Sequence, residues 1–314
     1  MLGGEFESSK VIHSTMPDFI PTPISFGRFK SPGPETYFYM SEYVDMDVAT
    51  APDPAEFARR LAQLHKASQS PEGKFGFHVP TCDGDRPHVV KWRDSWAVFY
   101  RELFLGVCEL DIKRNGPWPE YERAVQQVAR KVIPRLLDNL RQNGRPIQPC
   151  IIHGDLWEGN VGIRNQTGQS ILYDAGSFYG HNEVELGAWR CEYTSVLRAE
   201  EYTAAYLQHY PPAEPSHEFD DRNRLYSLKG AINYAAGHPG SELRRTSVLS
   251  LPSWESARGN EVSLTETERA YNNMCYLCEK YAPLEGIDKY DPSIDPSLTG
   301  ARIVPHQDTA EDLI

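Results

Sequence analysis

The sequence predicts an α+β protein with a short antiparallel part at its start and a mostly helical remainder. Three observations carry that reading. Two strand-like runs flank the turn signal Ser31-Pro32-Gly33-Pro34. Long stretches beyond residue 53 place apolar side chains at helical spacing. A strand–loop–hairpin unit at 150–174, rich in carboxylate and amide side chains, interrupts the helical text.

Taken in order, residues 5–13 read as the end of a helix. Ile24 and Phe26 then alternate with polar neighbours, and Tyr37-Phe38-Tyr39-Met40 is a continuous apolar run, the signature of a buried strand. Together they form a hairpin. Asp53 is an N-cap and Pro54 suits the first helical position, after which Phe57, Leu61 and Leu64 share one face. A loop follows, with Gly73, Gly76, Pro80 and Gly84. A second helix from Asp94 carries Trp96, Phe99, Leu103, Val107 and Leu110 and stops at Asn115-Gly116. A third spans 119–142, lined by Tyr121, Val125, Val128, Val132, Leu136 and Leu140, and bends at Pro134. Cys150-Ile151-Ile152 is a short strand running into His153-Gly154-Asp155. Two further strands flank the turn Asn165-Gln166-Thr167-Gly168. Helical text returns over 183–210, 221–234 and 267–281, with a Ser-rich loop before the last of these.

The 314 residues suffice for a sizeable core, and the formal charge of −12 repels phosphate backbones and anionic lipid. Neither nucleic acid nor a membrane is an expected partner. No apolar run approaches the length of a membrane span, and residues 1–10 lack the apolar core of a secretory signal. Six scattered Cys make no disulfide framework, so reduced thiols in a cytoplasmic protein are expected.

The chemistry lies in His153-Gly154-Asp155-Leu156-Trp157-Glu158-Gly159-Asn160 and in Asp174. Asp155 follows a strand, Asn160 lies five residues on across a tight loop, and the hairpin returns the chain to Asp174. Such a path gathers two carboxylates and an amide oxygen. Phosphoryl transfer needs that set: one carboxylate to accept the proton of an attacking hydroxyl, an Asn and an Asp to hold Mg2+ against nucleotide phosphates. Any one of the three alone reads more readily as a turn-capping residue; the spacing of all three is what points to a kinase.

Here the sequence resembles the fructosamine-3-kinase and ketosamine-3-kinase (protein-ribulosamine 3-kinase) family, a branch of the protein-kinase-like, aminoglycoside-phosphotransferase-type fold. The resemblance rests on the stretch from Ile152 through His153 and Asp155 to Val161, and on Tyr173-Asp174-Ala175-Gly176-Ser177-Phe178-Tyr179-Gly180-His181. Lys74-Phe75-Gly76-Phe77-His78, Trp92, Asp94-Ser95-Trp96 and Leu64-His65 add to it. It implies an ATP- and Mg2+-dependent kinase that phosphorylates the sugar 3-hydroxyl of ketoamines, free or on glycated proteins, so that the lysine is recovered. It further implies Asp155 as proton acceptor, Asn160 and Asp174 as Mg2+ ligands, Ser41-Glu42-Tyr43 as the hinge that meets adenine, and Glu5 as the glutamate of a lobe-bridging helix. On this reading residues 1–43 are a remnant N-terminal lobe, 44–283 a helical C-terminal lobe with a probable inserted loop at 241–269, and 284–314 an acidic disordered tail with seven acids against two bases.

The family's glycine-rich phosphate loop and strand Lys have no counterpart: no G-x-G-x-x-G occurs, and Lys10 and Lys30 are misplaced for the role. A truncated gene product or an impaired, ketoamine-binding pseudokinase is therefore a rival expectation. A kinase for another amine alcohol is a third. His153, Trp157 and His181 are expected to brace the loop or border the substrate. His181 with Glu185 and His153 is a poor zinc set, since no H-E-x-x-H is present. Cys275 and Cys278 fall in apolar helical text and read as buried.

Overall fold

The computed structural model describes residues 1–30, 33–239 and 266–294. The chain opens with helix α1 (Leu2–Thr15), longer than the expected 5–13. It lies against a hairpin of β1 (Pro23–Arg28) and β2 (Tyr37–Ser41), in which Phe26 faces Tyr39 across the strands. Phe6 of α1 packs on both rings, with centroids at 6.3 and 5.9 Å. The hairpin is present as expected, but its second strand is not buried: Tyr37 is 45 % and Met40 47 % exposed. The sheet has only two strands and a helix on one face, so alternate side chains meet solvent.

A short strand β3 (Met46–Asp47) leads to α2 (Pro54–Ala67). The Asp53 carboxylate accepts from the Glu56 amide at 2.8 Å, and Phe57, Leu61 and Leu64 are fully buried. The expected loop beyond α2 holds a small hairpin, β4 (Cys82–Asp83) and β5 (Arg86–Pro87), turned by Gly84 at φ 57°. Helix α3 (Trp96–Asn115) is capped by Ser95 and closed by Gly116 at φ 89°. The single helix expected over 119–142 is instead α4 (Pro119–Gln127), a π-helical turn (Val128–Val132) and α5 (Ile133–Leu137). Pro134 has no N–H to give the preceding turn, and the backbone widens there rather than merely bending. The chain then forms the two-residue strands β6 (Arg141–Gln142) and β7 (Arg145–Pro146).

Strand β8 (Cys150–Ile152), β9 (Val161–Arg164), β10 (Ser170–Leu172) and β11 (Phe178–Gly180) frame the chemistry. β9 pairs with β10 on one side and β3 on the other, while β8 pairs with β11. The helical text expected over 183–210 divides into a 3-10 helix (Asn182–Arg190) and α6 (Glu200–His209). Helix α7 (Phe219–Gly237) packs on that 3-10 helix, on α3 and on α8 (Glu266–Tyr281). Most of the expected inserted loop at 241–269 falls outside the described residues, as does 295–314. The start of the expected acidic tail is packed on α8: Ile287 is buried, and the Tyr271 hydroxyl donates to Asp288 at 2.8 Å. Cys275 and Cys278 are buried, all six cysteines are free thiols, and no described helix is long and apolar enough to cross a membrane.

A buried ion pair joins the 3-10 helix to α7. Arg222 donates to both Glu183 oxygens at 2.7 and 2.9 Å, and its remaining donors reach the carbonyls of Ala213 and Pro215 at 2.8 Å each. The Ala213 amide donates to Glu183 at 2.7 Å. Burial alone would raise the Glu183 pKa, but Arg222 and the hydrogen bonds hold it below the ordinary value. A carboxylate with a depressed folded pKa stabilises the fold above its unfolded pKa and loses that contribution as pH falls through the folded one. Glu183→Gln is therefore expected to cost about 3–5 kcal/mol near neutral pH, read as a lowered urea midpoint, because Arg222 is left buried without its counter-charge. The difference between the two proteins should shrink only below the unfolded-state carboxyl pKa of about 4.5; a difference independent of pH would contradict the pairing.

Candidate active site

Residues 153–160 leave β8 as a loop whose course is dictated by two features. Gly154 sits at φ 90°, and a Cβ there would lie 2.3 Å from the Gly176 carbonyl oxygen. No side chain fits, and the loop is pressed against the 174–177 segment. The second feature is Glu185, fully buried in the 3-10 helix. Its carboxylate accepts the backbone amides of His153 and, at 3.1 Å, Gly154. Burial would raise its pKa, but His65, with Nε2 at 3.6 Å, and His153 keep it below the ordinary value. The carboxylate stays charged where the loop's two amides need an acceptor.

His153 is buried, and its Nε2 lies 2.9 Å from the Tyr173 carbonyl. A carbonyl only accepts, so the ring proton sits on Nε2 and Nδ1 receives the Asp155 amide at 3.4 Å. His153 thus braces the loop from inside. The Asn160 amide nitrogen donates to the Asp155 carbonyl at 2.8 Å and to its carboxylate at 3.2 Å. That leaves the Asn160 amide oxygen directed elsewhere. Trp157 lies over Gly159, where a Cβ would meet its ring at 2.3 Å. Asp174 follows β10 at φ 58°, a left-handed conformation that Asp tolerates, with its side chain exposed.

The electrostatics are those of crowded acids. Burial, then Asp83, then Asp174 push the Asp155 carboxyl up to about 7, while Lys229 offsets part of the shift. Burial and the nearby Asp174 likewise push Glu5 of α1 up to about 7. Helix α1 is tied to the same place: the Ser8 hydroxyl accepts the Ser177 amide at 3.0 Å and donates to the Gly4 carbonyl at 2.8 Å. Two oxygen donors, the Asn160 amide and the Asp174 carboxylate, are of the hard type that Mg2+ takes, and the strained acids Glu5 and Asp155 beside them favour a cation. Among the described residues no three His, Cys, Asp or Glu side chains form a metal cluster. The donor set at hand, one amide oxygen and one carboxylate, suits a hard cation that keeps water or phosphate oxygens as its other ligands.

Other expected residues fall elsewhere. The Glu42 carboxylate accepts from the Thr22 amide at 3.1 Å and hydroxyl at 2.8 Å, fixing the 41–43 connection, while Tyr43 is 88 % exposed. A cleft of about 510 Å³ borders Glu42, Tyr43, Arg164 and Thr167, but neither Asp155, Asn160 nor Asp174 lines it. His181 lies away from solvent. It is buried in the core, its Nδ1 2.9 Å from the Tyr226 hydroxyl, which takes the Trp96 indole N–H at 2.8 Å. Burial pushes its pKa down to about 4. Phe75 and Phe77 are likewise core residues, with Gly76 bridged to Tyr179.

Sequence reasoning missed Glu185 as the loop's anchor and missed a charged group beside Asp155. Asp83 of β4 is bound by Arg86 at 2.8 Å, by Lys229 at 3.5 Å and by the Asn233 amide. Lys229 donates in turn to the Gly154 carbonyl at 2.9 Å. The four-residue spacing of Lys229 and Asn233 on one helix, and the Asp83-Gly84-Asp85 turn, were the available signals.

This is the fold of the protein-kinase-like phosphotransferases. A crystal structure assigned as a fructosamine-3-kinase from Haemophilus somnus 129PT aligns with a TM-score of 0.61 at 17 % identity, over 88 % of this chain and 79 % of that one. The chain belongs to the fructosamine kinase family, whose sequence model matches residues 1–247. It is 29 % identical over 238 residues to the chloroplastic protein-ribulosamine 3-kinase of rice (Oryza sativa subsp. japonica), covering 74 % of this chain and 63 % of that protein. It is 27 % identical over 270 residues to the mouse (Mus musculus) ketosamine-3-kinase, covering 77 % of this chain and 81 % of the relative.

If Glu185 holds the loop, Glu185→Ala should speed hydrogen exchange at the His153 and Gly154 amides by at least about tenfold, the loss of roughly 1.4 kcal/mol of local protection. Unchanged exchange at both amides would remove the anchor role.

Proposed function

We propose that the chain catalyses ATP-dependent phosphorylation of the sugar 3-hydroxyl of ketosamines, ribulosamine or fructosamine adducts on protein lysines or free ketoamines, and so serves deglycation. The observation that supports this best is the union of Asp155 with Asn160 at 3.2 Å, in the electrostatic reach of Asp174, within a chain of this family. Asp155 is the proton acceptor. Its carboxyl is held near neutrality, where a general base is most effective, and the His153 and Glu185 contacts fix its backbone. The hydroxyl oxygen bonds to the terminal phosphorus of ATP as the bond to the bridging oxygen breaks. The proton passes to Asp155 and ADP departs. Asn160 and Asp174 hold Mg2+, which when bound neutralises phosphate charge. Ser41, Glu42 and Tyr43 supply the backbone that meets adenine, and residues 1–43 belong to the nucleotide-side lobe.

Asp155→Asn is expected to lower transfer from ATP to a ribulosamine-lysine by at least about a hundredfold, and Asp174→Asn to raise the Mg2+ needed for half-maximal rate. Unchanged turnover in the first variant would sink the assignment. A chain that binds the ketoamine yet transfers no phosphate, whatever the ATP and Mg2+ supplied, would be a binding protein that keeps only the acceptor side.

A further inference from the structure

A small cavity of about 20 Å³ borders the loop that bears Asp155, between the 3-10 helix on one side and α7 on the other. No sugar or nucleotide enters such a space, but one water molecule needs only about 10–15 Å³. At that size the lining decides whether a cavity is wet or dry, since apolar cavities stay dry and polar ones hold water. Here Leu156, Val184 and Phe178 supply apolar wall, whereas Asp83, Asp155 and Lys229 supply charge.

The three charged groups have hydrogen-bonding capacity beyond what their protein partners use. An ammonium carries three protons. Lys229 gives one to the Gly154 carbonyl at 2.9 Å and a second, over a long 3.5 Å, to Asp83. The third is available to the cavity that Lys229 lines. A carboxylate has about four acceptor positions. Asp155 spends one on the Asn160 amide at 3.2 Å, and Asp83 receives Arg86, Lys229 and the Asn233 amide. The two carboxylates also repel: Asp83 pushes the Asp155 pKa up, while Lys229 pulls it down. A water molecule donates two hydrogen bonds and accepts up to two, so one molecule answers an ammonium and two carboxylates together.

We propose that this cavity is the site of one ordered water, and that the water makes Lys229 a positioning residue for Asp155. The water accepts a hydrogen bond from Lys229 and donates one to Asp155 and one to Asp83. Asp155 is then gripped by the Asn160 amide and by the water, with lone pairs left for an attacking hydroxyl. Lys229 holds the loop twice, at its backbone through the Gly154 carbonyl and at its carboxylate through the water. Loss of the grip turns the carboxylate without removing any group that binds nucleotide, so the effect falls on kcat rather than on KM. The water site stands on the cavity and its lining; only its kinetic consequence rests on the role given to Asp155 above.

The test compares high-resolution crystal structures and transfer rates of the full chain and of Lys229→Met. The unaltered chain should show a single water peak within about 3.2 Å of Lys229 Nζ and of a carboxylate oxygen of both Asp155 and Asp83. Lys229→Met leaves Asp83 paired with Arg86 and Asn233, so no buried charge is stranded. In that variant the peak should vanish, the Asp155 carboxylate should take more than one orientation, and kcat should fall by about tenfold with the KM for ATP within about twofold. A second variant, Ala188→Val, fills the cavity from the 3-10 helix and leaves the charged groups in place. It should likewise lose the peak and lower kcat, and it decides the matter if Lys229→Met does not fold. No peak in the unaltered chain, a peak that persists in Lys229→Met, or an unchanged kcat in a variant that has lost it overturns the proposal. An unaltered chain that transfers no phosphate overturns the kinase reading instead, and the water site is then decided by the peaks and the Asp155 orientations alone.

Discussion

The structure depends on one buried negative charge. Glu185 lies in a 3-10 helix with its carboxylate turned into the core, and a carboxylate so placed must be met by donors or lose its charge. The donors are the first two amides of the loop that bears Asp155, with His65 close by. The loop is thereby hung from the helical body before any of its side chains act. The companion pair Glu183–Arg222, two residues earlier, fixes the same 3-10 helix to α7. Two neighbouring glutamates of one short helix therefore position both walls of the cleft, the loop bearing Asp155 and the helix bearing Lys229.

Against that rigid frame the functional groups are in mutual conflict. Asp155, Asp83 and Glu5 lie in a region from which much water is excluded, with the exposed Asp174 close by, and two of the buried acids are pushed to about 7. Lys229, Arg86 and Asn233 answer Asp83 directly, whereas Glu5 is repelled by Asp174 and only partly relieved by the amino-terminal ammonium. The imbalance is the kind that a divalent cation relieves.

How much of this was legible in the sequence follows from the range of the forces involved. The loop from His153 to Asn160 and its hairpin were readable because their spacing is local: a strand, a tight turn and a return. The cap at Asp53, and the stop at Gly116, were readable for the same reason. Residues 119–142 were misjudged because apolar spacing does not distinguish a continuous helix from one opened into a π-turn before Pro134. Residues 183–210 were misjudged because a 3-10 helix carrying buried acids looks amphipathic in outline. The exposure of Tyr37 and Met40 depends on how many strands flank the hairpin, which no local pattern states. Asp83 and Lys229 lie 146 residues apart in sequence, and only the tertiary fold makes them partners.

The hydroxyl of Ser8 has a mechanical consequence. It is held by the Gly4 carbonyl one turn back in α1, and it holds the amide of Ser177 just past Gly176. Gly176 in turn abuts Gly154, with no room for so much as a methyl group between them. First helix, the elbow after Asp174 and the loop that bears Asp155 are thus three links of one short linkage, each in contact with the next. A displacement of α1 has a direct route of contacts to the loop that bears Asp155, and by reciprocity a ligand that ordered that loop would restrain α1.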